Sequence, residues 1–143
     1  MMRIVNLTPH EIVLQVSNKR ITIPPSGRIA RVATKQVYED SVTVNGVEVP
    51  IYRTEFGKVE GLPPYSCLNC VHFKNNGGEC DPEGQPDVPE QCDRFEPLEV
   101  YVVSSLVAQA VKGRKDVVAP DTGPTAIRNE QGQIVAVTRF QRW

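Results

Sequence analysis

The chain has 143 residues, 40% of them hydrophobic and 23% charged, with a formal net charge of −1. That length supports one core and rarely two, so a single domain over 1–143 is expected. The apolar runs are too short to cross a bilayer as helices, and the N-terminus shows neither an apolar h-region nor a small-residue cleavage site. A cytoplasmic, reducing setting is therefore expected.

The first half reads as short strands punctuated by turns. Ile12 to Val16 and Arg20 to Ile23 are joined through Ser17-Asn18-Lys19, and Pro24-Pro25-Ser26-Gly27 then leads into Arg28 to Ala33. The strongest hairpin signal is Val42-Thr43-Val44-Asn45-Gly46-Val47-Glu48-Val49, because Asn-Gly accepts the positive φ angles of a type I′ turn. Pro50 marks an edge or a strand end, and Ile51 to Phe56 continues extended to the Gly61-Leu62-Pro63-Pro64 break.

A cysteine-bearing segment follows and shows neither helical nor strand periodicity. It reads as a loop insertion over 65–97. Beyond it, Glu99 to Val103 forms a strand, and Leu106 to Lys112 forms a helix of about two turns, with a serine cap before it and Gly113 as its left-handed stop. Leu106, Val107, Ala110 and Val111 are its expected buried face. Val117-Val118-Ala119-Pro120 and a loop at Asp121-Thr122-Gly123-Pro124 precede a terminal hairpin, Thr125 to Arg128 with Ile134 to Phe140. The expected fold is mainly β (α+β): a small antiparallel-sheet or barrel-like domain with one short helix and an inserted metal-binding loop.

The four cysteines, Cys67, Cys70, Cys80 and Cys92, follow the pattern Cys-x2-Cys-x9-Cys-x11-Cys. A Cys-x2-Cys pair turns two sulfurs toward one cation, and a second pair completes a tetrahedral thiolate shell. The segment has few large apolar residues of its own, so a metal would replace a core it lacks. Zinc is the leading reading and an iron–sulfur cluster the alternative, with disulfides disfavoured by the reducing setting. His72 is a minor alternative ligand. A closed four-thiolate zinc site has no position for water and is structural rather than catalytic.

Charge is uneven. Tyr65 to Pro97 carries seven acids and two bases, leaving the rest of the chain at +4. That surplus is too dilute for the basic stripe of a duplex-DNA binder. Ser104 and Ser105 at the helix start, with Arg114, Lys115 and Arg128 as counter-charges, are the candidate residues for a phosphate or nucleotide-like ligand. An ordinary serine cap with surface bases is the competing reading. His10 with Glu11, and Asp116 with Asp121, lack the partners that would specify catalysis.

Asn6-Leu7-Thr8-Pro9-His10, Ile23-Pro24-Pro25-Ser26-Gly27, Gly61-Leu62-Pro63-Pro64, Tyr101-Val102-Val103-Ser104-Ser105-Leu106-Val107 and Arg114-Lys115-Asp116-Val117-Val118-Ala119-Pro120-Asp121 together resemble a family of small uncharacterised phage- and prophage-type proteins. The cysteine insert departs from that pattern, and the family carries no activity to transfer. The resemblance implies an accessory protein of the host cytoplasm that works without catalysis. It would bind either a nucleotide-derived ligand, as in counter-defence sequestration, or a host protein. An enzyme acting on a nucleotide or other phosphorylated substrate is the alternative, as is a virion or assembly component. Exposed hairpin edges make a homo-oligomer a further expectation.

Overall fold

The computed structural model describes residues 3–71 and 95–143. Its centre is a four-stranded sheet in the order β1 (Arg3–Asn6), β6 (Glu99–Val102), β7 (Val117–Pro120), β10 (Phe140–Gln141). β6 runs parallel to both β1 and β7, and only β10 is antiparallel to its neighbour. The connection from β6 to β7 passes through the helix Ser105–Ala110, which Ser104 caps by accepting the Val107 N–H.

This mixed sheet explains why Val100 to Val103 and Val117 to Ala119 are unbroken apolar runs. Strands covered on both faces need no polar alternation. Val5, Tyr101, Val103, Val117 and Ala119 face a core shared with Leu7, Ala30, Val107 and Ala108. Val100, Val102 and Val118 face the other way, against Ile12, Leu14 and Val137. The helix covers the first side. The hairpin of β2 (Ile12–Val16) and β3 (Lys19–Ile23) covers the second, helped by the chain around Val137.

The mainly β reading with one short helix and small antiparallel sheets holds, and several local expectations hold with it. The β2–β3 turn places Ser17 and Asn18 at φ of 50° and 65°, and Asn45-Gly46 turns at 50° and 80°. Gly113 stops the helix region at a φ of 95°. Other details differ. The strand expected from Arg28 begins at Arg31, because Ala30 donates to the Leu7 carbonyl instead. The helix buries Val107 and Ala108 while Leu106 is exposed, since the sheet lies under a narrower stripe than the apolar pattern offers. The terminal hairpin is split. β8 (Ile127–Arg128) pairs with β9 (Ile134–Ala136), after which Phe140 leaves to pair with Pro120 in the main sheet.

The largest departure is the Asn45-Gly46 hairpin. Its strands, β4 (Arg31–Val44) and β5 (Val47–Glu60), are fourteen residues each and, among the described residues, pair only with one another. Val32 and Val59 anchor its base on the core. None of residues 33–58 is buried. At about 3.4 Å per residue the free part of this arm extends roughly 35 Å.

Candidate functional site

Cys67 and Cys70 stand on one tight turn. Ser66 caps it by accepting the Leu68 N–H, Cys67–Asn69 forms a single 3₁₀ turn, and the Cys70 N–H closes it on the Cys67 carbonyl at 3.0 Å. Both thiols belong to buried residues, at 8% and 2% exposure. Cys80 and Cys92, and with them His72, lie outside the described residues. Among the described residues no group of three or more metal-ligating side chains forms.

The turn is fixed to the sheet on several sides. The Asn69 amide donates to the Glu99 carbonyl and accepts the Glu99 N–H, at 2.9 and 2.8 Å. Val71 N–H donates to the Glu96 carbonyl, Leu98 N–H donates to the Asn69 carbonyl, and Cys70 bridges antiparallel to Pro97. Phe95 meets the Tyr65 ring edge-on at 5.0 Å. The backbone at Cys70 and Val71 thus lies beside the backbone at Glu96 and Pro97. Beside the turn lies a 480 Å³ cavity whose walls include Pro63, Leu68, Asn69 and Tyr101, with the Arg3–Glu99 ion pair at its side. Burial, followed by the Glu99 carboxylate, raises the Tyr101 phenol above its ordinary pKa.

The residues expected to hold a nucleotide serve the fold. Arg114 makes a two-pronged ion pair with Asp116, at 2.9 and 2.8 Å, donates to the Pro63 carbonyl, and lies 5.2 Å over the Tyr65 ring. Arg128 donates to the Gly132 carbonyl in the turn of the terminal hairpin and to the Thr122 carbonyl in the loop before it. Lys115 uses its backbone, donating to the Tyr65 hydroxyl and accepting from Arg142. Ser104 caps the helix, and Ser105 is that helix's first residue. The helix has six residues, too few for a substantial macrodipole. Ser104 does line a 350 Å³ cavity with Leu7, Thr8, Ile29 and Arg31, but Arg114, Lys115 and Arg128 are not among its walls. A third cavity, 440 Å³, has His10, Thr122, Val135 and Val137 among its walls.

Among the described residues, the arm concentrates the exposed large hydrophobic side chains. Directly paired residues share a face of a two-stranded ribbon. The pairs Val44–Val47, Val42–Val49 and Asp40–Ile51 place five β-branched side chains on one face of the outer half. Those five are between 38% and 62% exposed. The opposite face carries Thr43 with Glu48 and Ser41 with Pro50, and below them the Tyr38–Tyr52 edge-on pair and the Gln36–Thr54 hydrogen bond. Alternation of this kind is the pattern of a sheet covered on one side. Sequence reasoning located the hairpin but not this face. The signal was present in the alternation of Val42, Val44, Val47 and Val49.

No family model, curated protein or solved structure matches the chain. Among the described residues no helix is long and apolar enough to cross a membrane.

Proposed function

We propose that this chain is a non-enzymatic, phage-type accessory protein of the host cytoplasm that acts through contacts with other proteins. The observation that carries the reading is the apolar outer face of the β4–β5 arm, whose five clustered β-branched side chains are exposed in the way that marks a protein-contact site. The commitment of Arg114 to Asp116, Pro63 and Tyr65 supports a protein over a nucleotide as partner, since the main counter-charge for a phosphate is already taken.

The cysteine segment fits this role as a metal-stapled surface module, with zinc held by Cys67, Cys70, Cys80 and Cys92. The buried, fixed turn that carries the first two suits a structural ion. The segment's acidic composition suits contact with a basic region of a host protein.

Three measurements test the reading. Elemental analysis with an absorption spectrum is expected to give one zinc per chain and no colour; iron and sulfide would replace zinc by a cluster and reopen a redox role. Tagged protein is expected to capture a host protein in a manner that neutralising acids of the insert abolishes. A nucleotide panel is expected to leave the melting temperature unchanged. A rise that is lost with Arg31→Glu would favour the Ser104 cavity and a nucleotide ligand instead.

A further inference from the structure

Two routes could cover the arm, pairing at its edges or packing on its face. Both edges are blunted. Val44–Val47 closes the two-residue turn, and alternation from there makes Ser41–Pro50 a pair without mutual hydrogen bonds. The nitrogen of Pro50 therefore faces outward, where it offers no donor to an added strand. On β4 the register shifts between Tyr38 and Asp40, so Glu39 has no partner and that edge is irregular as well. The face is thus the surface left open for association.

Charge then discriminates among occupants. From Glu39 to Ile51, the outer half has three acids (Glu39, Asp40 and, on the opposite face, Glu48) and no base. The inner half has four bases (Arg31, Lys35, Arg53, Lys58) against two acids, Glu60 and the Glu55 that pairs with Arg53 at 3.0 Å, and keeps a positive balance. Two such arms repel when aligned tip to tip in the same direction and attract when they run in opposite directions.

Resting on the reading of the arm as a protein-contact surface, we propose that its partner is a second copy of this chain. The two arms pack face to face and antiparallel about a two-fold axis, each acidic tip lying along the basic half of the other. Every contact then occurs twice, as in any isologous interface. Placing Asp40 of one copy against Arg53 of the other brings Val44 and Val47 over Ala33 and Gly57. A Cβ added at Gly57 would lie 3.4 Å from the Ala33 Cβ, so the two residues stand side by side, and their small size leaves a flat seat for the valines.

Sedimentation or light scattering of the full chain tests this. A dimer is expected, weakening as salt is added. Glu39→Lys with Asp40→Lys should weaken association by about tenfold or more. Adding Lys35→Glu and Arg53→Glu to the same chain should restore it, because both halves then change sign together. Val44→Glu with Val47→Glu, at exposed positions outside the core, should give a folded monomer. A wild-type monomer at the highest soluble concentration, or a dimer indifferent to all these changes, would overturn the proposal. If the wild type is monomeric yet captures a host protein through Val44 and Val47, the arm remains a contact surface and only self-pairing falls. If neither association nor capture depends on the arm, both readings fall.

Discussion

Asp116 has no solvent exposure, and its carboxylate is balanced by Arg114, whose side chain is 13% exposed. Removing one member of such a pair strands the other charge, at a cost of about 3–5 kcal/mol. Arg114→Met should therefore lower the free energy of urea unfolding by about that amount, and adding Asp116→Leu should recover much of it. If the single variant is as stable as the parent, the pair does not hold the Pro63–Tyr65 segment as described. Asp121 is a second, milder case. Its carboxyl is held below the ordinary pKa by the Arg139 guanidinium at 2.7 Å and by the Gly123 N–H at 3.0 Å. A carboxyl whose folded pKa is depressed contributes stability that is present above its unfolded value, near 3.8, and is lost as pH falls through the folded value. Acid unfolding should thus have a component below about pH 4 that disappears in Asp121→Asn, detectable as a shallower slope of melting temperature against pH. Neither partnership could be read from the sequence. Arg114 and Asp116 are two residues apart, but their burial depends on strands far along the chain.

Elements whose shape depends on neighbouring residues were the legible part. The two hairpin turns, the serine cap and the Gly113 stop each involve a few consecutive residues, so their side-chain chemistry suffices. The arm's length was not legible. Pro50 and Gly57 look like strand breakers, yet a ribbon that pairs on one side only tolerates a missing outward donor. Gly57 sits where the register shifts opposite Ala33. Gly61, at the joint between arm and body, is the sharper constraint. Its φ is 79°, and an added Cβ would lie 2.2 Å from the Ile29 carbonyl oxygen. Gly61→Ala should cost about 2–4 kcal/mol, from the left-handed backbone and the forced shift together. Gly46→Ala, with a comparable φ but open space around it, should cost about 1 kcal/mol. Equal losses in chemical denaturation would mean that the Ile29 contact has no effect.

At the scale of the molecule, the mixed central sheet was the least legible feature. β1 and β6 are separated by more than ninety residues, and no local pattern announces that they run in parallel. The doubly apolar runs were a hint, since strands covered on both faces take that composition, but a buried helix can share it. The candidate ligand residues do not line one common cavity among those described, and no local pattern announces where their side chains go. The cations among them are expected as counter-charges for a helix start, while packing directs Arg114 toward Tyr65 and Arg128 toward the Gly132 carbonyl. The arrangement also separates stability from the arm. Among the described residues, the first core cluster draws on the arm through Val32 and Val59, and the second does not draw on it. Replacing residues 34–56 by a short Asn-Gly turn should leave a cooperative unfolding transition with a melting temperature within a few degrees of the parent. Loss of the transition would show that the arm is part of the folding unit.

The neck of the cysteine segment has a consequence for how this chain tolerates change. The Cys70–Pro97 bridge, the Asn69–Glu99 clasp and the Tyr65–Phe95 ring contact hold the two flanks of that segment side by side on the sheet. Closure entropy grows only slowly with the number of residues enclosed, so exchanging the sequence between Val71 and Phe95 for one of different length or chemistry is expected to leave the register of the sheet in place.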